Sequence, residues 1–177
     1  MKTYYLDTNV FLARYAPEEK EHDSSKTLLE ATEAGQLKAL TSPLTLVEIA
    51  STVRRSSEKL TGTMPPVENS GAFVRRALAL RNLGYISLGG EMTLAAGSPV
   101  KVPLLFTAAL KAVRSLPMKT LNLLHLASAY MAVRLFGEDL DFFATLDDEL
   151  LRFRREVKDF LGCSAVTPSE LVKLEGL

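Results

Sequence analysis

The stretch YYLDTNVFL, residues 4–12, decides the fold class. Tyr4, Tyr5 and Leu6 favour a strand. Asp7 ends it, and Asn9 is suited to cap a helix with apolar positions Val10, Phe11, Leu12 and Tyr15, stopped by Pro17. A strand running straight into a helix opens an α/β unit, and the pattern recurs. A helix over 22–34 closes at Gly35, a strand fits 37–41, and Ser42 with Pro43 caps a helix running to about Arg55. Further on, the sequence predicts a helix over 71–82, a strand over 85–88, a helix over 104–115 and a long apolar helix over 121–136. A buried strand over 142–146, a helix over 148–158, a short strand over 165–167 and final helical turns over 168–174 complete the series. Strands alternating with helices imply a parallel sheet covered on both faces.

Two stretches break the alternation. SSEKLTGTMPPVENS, residues 56–70, is rich in turn formers and reads as a loop excursion. Gly89, Gly90, Gly97 and Pro99 mark irregular chain around a weak helical segment, a second excursion over 89–103. The length of 177 residues fits one domain over 1–177. Hydrophobic residues at 47% and charged residues at 24% describe a globule and exclude a disordered chain. Lys plus Arg and Asp plus Glu are 21 each, which excludes a strongly basic nucleic-acid coat but leaves room for a local basic patch. The single cysteine, Cys163, excludes an internal disulfide and a thiolate metal cluster. The start shows no signal-peptide core and no run is long enough to span a membrane, so a cytoplasmic location is expected.

Parallel α/β sheets place working residues beyond the carboxyl ends of their strands. Asp7 follows the first strand, and Asp147 follows the strand over 142–146. Helix capping explains either acid alone but not why both occur at strand ends. Glu48 lies in TLVEIASTV, on a helix where Leu44, Val47 and Ile49 read as packing residues. It is either a metal-site acid or a helix-edge partner of Arg54 or Arg55. On the long helix Asn122, His125 and Ser128, at steps of three, form a polar stripe. Asn122 can offer a carbonyl oxygen to a hard cation, and His125 reads as a satisfied core histidine or a hydrogen-bonding support for the site. His22 is assigned no chemistry. Acids without a matching His or Cys set point to Mg²⁺ or Mn²⁺ rather than zinc, and to phosphodiester hydrolysis.

With those residues in view, the sequence resembles the PIN-domain nucleases, especially the toxin subunits of prokaryotic toxin–antitoxin pairs. The matching stretches are YYLDTNVFL at 4–12, SPLTLVEIAS at 42–51, NLLHLASA at 122–129 and FATLDDEL at 143–150. The resemblance implies a three-layer α/β/α sandwich with a central parallel sheet and an acidic pocket for Mg²⁺ or Mn²⁺. Asp7, Glu48 and Asp147 match the family's acids, while Asn9 and Thr145 match the small polar residues that arrange them. It further implies an endoribonuclease acting on single-stranded RNA, a homodimer, and a cognate antitoxin protein as partner.

One position departs from the pattern: Asn122 stands where the family normally has Asp, so the site has one negative charge fewer. Asp148, beside Asp147, is either a partial compensation or a first-turn helix acid. The departure keeps a non-catalytic or weakly active RNA- or protein-binding module as the alternative. A haloacid-dehalogenase-like phosphatase is weaker, because position 9 is Asn where that chemistry wants an acid. Backbone phosphates need cations, and Arg54 and Arg55 could flank a groove beside Glu48. Arg75 with Arg76, and Arg152, Arg154 and Arg155, are further basic clusters, with ordinary solvated ion pairs such as Glu149 with Arg152 as the plain reading.

Overall fold

A computed structural model describes residues 1–55, 71, 74, 75, 78–96 and 98–177. The elements run β1 (Thr3–Leu6), α1 (Thr8–Ala13), α2 (His22–Glu33), β2 (Lys38–Thr41), α3 (Leu44–Arg55), β3 (Leu83–Tyr85), β4 (Glu91–Ala96), β5 (Ser98–Pro103) and α4 (Leu104–Val113). Then come α5 (Thr120–Phe136), β6 (Phe142–Ala144), α6 (Asp148–Arg152), α7 (Arg154–Leu161), β7 (Ser164–Val166) and α8 (Pro168–Glu175). Five strands form a sheet in the order β3-β2-β1-β6-β7, every neighbouring pair parallel. The chain winds outward one way from β1 through β2 to β3, then returns to the other side of β1 as β6 and β7. That reversal lies between β1 and β6, where open α/β sheets leave a crevice beyond the strand ends.

The alternation of side chains along the strands divides the core into two layers. Tyr5, Leu40, Phe143 and Ala165 face one way and pack with buried residues of α4, α5 and α7. Tyr4, Leu6, Ala39, Ala144 and Val166 face the other and pack with α1, α2, α3 and α8. The α/β/α sandwich expected from the sequence is therefore present. Helix α5 lies buried on the first face, with Leu126, Ala127, Ala129, Met131 and Ala132 fully sequestered, which explains its near-uniform apolar sequence. It stops at Gly137, whose φ of 69° is the left-handed conformation that ends helices. At the other end of the chain, Thr167 and Glu170 form a reciprocal capping box that starts α8.

Several sequence expectations are corrected. Residues 89–103 are not irregular chain around a weak helix: β4 and β5 pair antiparallel as a hairpin outside the main sheet. A local helical reading failed because pairing across a turn depends on the partner strand and not on local propensity. The strand expected over 85–88 lies earlier, at Leu83–Tyr85, where it completes the register with β2. The strand expected over 142–146 ends at Ala144, since the amide of Leu146 is taken by the Asn9 side chain at 2.9 Å. The helix expected over 148–158 is two, separated at Phe153 (φ −98°, ψ 30°). Of the helix expected over 71–82, Gly71, Val74, Arg75 and Leu78 are helical and 81–82 form a turn. The excursion over 56–70 and Arg76 lie outside the described residues.

Cys163 packs at 4% exposure between α7 and β7, and burial pushes its thiol up to about 12. At pH 8 on the order of one thiol in ten thousand is then ionised, and a thiol must be ionised to react as a nucleophile. Iodoacetamide should accordingly label the folded chain far more slowly than the chain in denaturant, a contrast that mass spectrometry reads directly.

Candidate functional site

Asp7 is the N-cap of α1, its Oδ1 accepting from the Thr8 amide at 2.7 Å. Asn9, expected as the cap, instead sits inside the helix and donates from Nδ2 to Asp7 Oδ2 at 2.9 Å. The Thr145 hydroxyl donates to the same Oδ2 at 2.7 Å. The first turn of α1 and the end of β6 thus grip one carboxylate, which is only 4% exposed. A charge so buried is tolerable only when its lone pairs are met by donors. Burial nevertheless raises the Asp7 pKa above the ordinary carboxylate value, against the opposing pull of the His125 charge and the Thr145 bond.

Asp147 caps α6, its Oδ1 accepting from the amides of Glu149 and Leu150 at 2.8 and 3.3 Å. It lies three residues beyond β6, and Thr145 links it to Asp7 by accepting from the Asp147 amide at 3.0 Å. Asn9 and Thr145 both donate to Asp7 Oδ2, and Thr145 also accepts from the Asp147 amide. Glu48 projects from α3, and its Oε2 accepts from the Thr8 hydroxyl and from His125 Nε2 at 2.6 Å. A carboxylate can only accept here, so Nε2 carries a proton and Nδ1 faces the Tyr5 hydroxyl at 2.7 Å. Burial works against a charge on His125. The bond to Glu48 and the charges of Asp7 and Glu48 outweigh it and raise its pKa. Burial also opposes charge on Glu48, but its hydrogen bonds to His125 and Thr8 and the His125 charge bring its pKa below the usual value. The ion pair of Glu48 with Arg54 or Arg55 is not formed. His125 is buried and hydrogen-bonded at both ring nitrogens, linking Tyr5 to Glu48, with its Nε2 3.6 Å from Asp7.

Asp7, Glu48, Asn122, His125 and Asp147 line one cavity of about 650 Å³ at the carboxyl ends of β1 and β6. Val47, expected to pack, is 68% exposed and forms part of its wall. Arg55 also lines it, whereas Arg54 does not. A second hollow of about 570 Å³ shares Asn9, Lys119 and Asp147 with the first and continues past Asp148 and Glu149 to Arg152. The two adjoin at these shared residues, and Arg55, Lys119 and Arg152 are among the residues that line them. Asp148 is exposed, in the first turn of α6, and borders only the second hollow. His22 stays outside the site, bonded to the Ala13 carbonyl at 2.8 Å.

Sequence reasoning missed Glu149 as a site neighbour. It does not pair with Arg152; its Oε2 accepts from Asn122 Nδ2 at 2.9 Å and from the Lys119 amide at 3.0 Å. No local pattern announces a contact between residues 27 apart. Tyr5 was also missed, although strand alternation does place it on the α5 face.

The donors around the cavity are carboxylate and amide oxygens, a set suited to a hard divalent cation. Among the described residues no three His, Cys, Asp or Glu side chains are grouped closely enough to hold an ion together. Glu48 is turned to His125 and Thr8, and one oxygen of Asp147 is committed to the start of α6.

The PIN domain family profile matches residues 4–99, and the chain belongs to that family. PIN domains are generally nucleases that use divalent metals. Among solved structures, a chain of VapBC2 from Rickettsia felis, bound to a DNA fragment from their promoter, is similar in fold. It shares 14% identity with a TM-score of 0.55, over 93% of this chain and 98% of that one. VapC20 of Mycobacterium tuberculosis, a Sarcin-Ricin loop cleaving toxin, matches at 13% identity and a TM-score of 0.49, over 82% of this chain and 92% of its own. No curated protein matches the chain.

Proposed function

We propose that the chain is a metal-dependent endoribonuclease, toxin-like, that hydrolyses single-stranded RNA. The observation that carries this reading is the delivery of Asp7, Glu48 and Asp147, from three separate parts of the chain, to one cavity at the sheet's reversal point. Asp7 and Asp147 would hold Mg²⁺ or Mn²⁺ through lone pairs their hydrogen bonds leave free, with Asn122 Oδ1 as a neutral addition. A divalent ion there supplies charge neutralisation at the phosphoryl oxygens and makes water a better nucleophile. Glu48 would hold the ion directly or through water, or orient the attacking water, and His125 with Tyr5 fixes where Glu48 points. Water adds to phosphorus, the bond to the 3′ oxygen breaks, and the products carry a 5′-phosphate and a 3′-hydroxyl. Arg55 and Lys119 in the lining of the cavity, with Arg152 in that of the adjoining hollow, supply positive partners for the strand's phosphates.

The fold likeness to a VapBC2 chain supports an antitoxin protein as partner. Phe106, Leu110 and Val113 leave an apolar stripe exposed along α4, which supports a homodimer or another protein assembly. Among the described residues no helix is long and apolar enough to cross a membrane, in keeping with a cytoplasmic protein.

The test is incubation of the purified chain with end-labelled single-stranded RNA and Mn²⁺. Cleavage that stops with EDTA and leaves 5′-phosphate ends is expected; intact RNA at every Mn²⁺ concentration contradicts the reading. The second reading, a PIN-like module that binds RNA or protein without turnover, is favoured by Asn122 and by the ungrouped acids. It predicts RNA binding that survives Asp7→Asn with no cleavage by the wild type.

A further inference from the structure

Glu149 lies on α6, two residues beyond the Asp147 cap, and reaches across to the start of α5. There its Oε2 accepts from the backbone of Lys119, the N-cap residue of α5, whose own side chain makes no capping bond. The same oxygen accepts from Asn122 Nδ2 at 2.9 Å. A carboxylate cannot donate, so this contact fixes the orientation of the amide: nitrogen toward Glu149, oxygen away from it. Among the described residues nothing donates to Asn122 Oδ1, and the residue lines the cavity beside Asp7, Glu48 and Asp147. The amide's free acceptor therefore belongs to the side facing away from the acid behind it.

We propose that Asn122 and Glu149 act as one divided ligand, Asn122 presenting neutral Oδ1 to the ion while Glu149, one hydrogen bond behind, supplies the negative charge that Asn122 lacks. This rests on the reading that the cavity holds a divalent cation. Toward the ion Glu149 is a positioning residue: it works through the Asn122 amide. One consequence runs against intuition. Asn122→Asp adds a charge at the cavity but also replaces the amide–carboxylate hydrogen bond with two carboxylates side by side. The added acid and Glu149 then oppose each other, and the substitution is no improvement until Glu149 is neutralised.

The test is Mn²⁺ binding by isothermal titration calorimetry, with the metal-free unfolding midpoint of each variant as a second readout. The full chain is compared with Asn122→Asp, Glu149→Gln and the double variant. Glu149→Gln keeps an acceptor for the Lys119 amide and for Asn122, so its metal-free midpoint stays near wild type. Its Mn²⁺ affinity drops roughly tenfold, the lower end of what a residue behind a ligand controls. Asn122→Asp alone binds Mn²⁺ no more tightly than wild type and melts lower. The double variant, with the same total charge as wild type moved one residue forward, recovers both.

Two results overturn the proposal: tighter Mn²⁺ binding by Asn122→Asp alone, or effects of the two single changes that simply add in the double variant. RNA cleavage is measured separately from these two readouts. Coupled Mn²⁺ binding with RNA left intact would remove the ribonuclease reading and keep this one, whereas additive effects with cleavage preserved would do the reverse.

Discussion

Asp7→Asn is expected to lower Mn²⁺-dependent RNA cleavage by roughly a thousandfold or more, about 4 kcal/mol of transition-state stabilisation. The substitution is nearly isosteric and removes only charge. Asn remains a good N-cap, so its Oδ1 can still accept from the Thr8 amide. What changes is the other atom. An amide nitrogen would face the Asn9 Nδ2 and Thr145 hydroxyl that now donate to Asp7 Oδ2. The Asn9 NH2 cannot accept and must turn away, while the Thr145 hydroxyl must give up its donation, and the bond that the Leu146 amide donates to Asn9 Oδ1 at the end of β6 is weakened. A modest cost in stability is expected, about 1–2 kcal/mol. The large loss of turnover beside that modest loss of stability would place the effect in charge rather than in folding. Single-turnover kinetics with urea denaturation of the same preparation reads both.

Phe143→Ala is expected to cost about 3–5 kcal/mol of folding stability. Phe143 is wholly buried in β6, in the middle of the sheet, with its ring stacked on Tyr5 at 4.6 Å between centroids. Truncation leaves a void between the sheet and α5. It also frees the Tyr5 ring, whose hydroxyl positions His125 and through it Glu48. The midpoint of urea unfolding should fall without a change in slope, and a loss under 1 kcal/mol would mean that the two layers repack around the gap. For a domain whose total stability is on the order of 5–15 kcal/mol, a change of this size brings unfolding close to ordinary conditions.

The sequence revealed the fold class because its signals are local. YYLDTN shows a strand ending in an acid before a helix, and the apolar run of α5 is too long for a strand. The addresses of Asp7 and Asp147 followed from one rule about parallel sheets, and both acids do flank the same crevice. The hairpin of β4 and β5 was invisible because each strand is defined by its partner; a few glycines and prolines looked the same as irregular chain. Helix α6 was merged with α7 because the break at Phe153 is a change of backbone angle without a glycine or proline to mark it. The acids that line the cavity, and Asn9 and Thr145 beside them, were named from the sequence, but the bonds of Thr8, Tyr5 and Glu149 were not. Thr8 and Asn9 reach Glu48 and Asp7 because α1 starts at the strand's edge, and Glu149 reaches Asn122 because α6 folds back over the start of α5. Such contacts arise from tertiary placement, which one chain's residue order does not spell out. His125 shows the limit well: its spacing from Asn122 put it on the polar stripe, while its bonds to Tyr5 and Glu48 depend on the sheet beneath it.

The proposed chemistry requires one cation joining parts of the chain that the fold brings to the sheet's reversal point. Crystals soaked in Mn²⁺ and measured at the manganese edge test it most directly. The expected result is an anomalous peak bridging Asp7 and Asp147, at about 2.1 Å from an oxygen of each, with Glu48 or a water it holds as a further neighbour. Saturating Mn²⁺ that leaves this crevice without a peak, or a peak that touches neither aspartate, would contradict it.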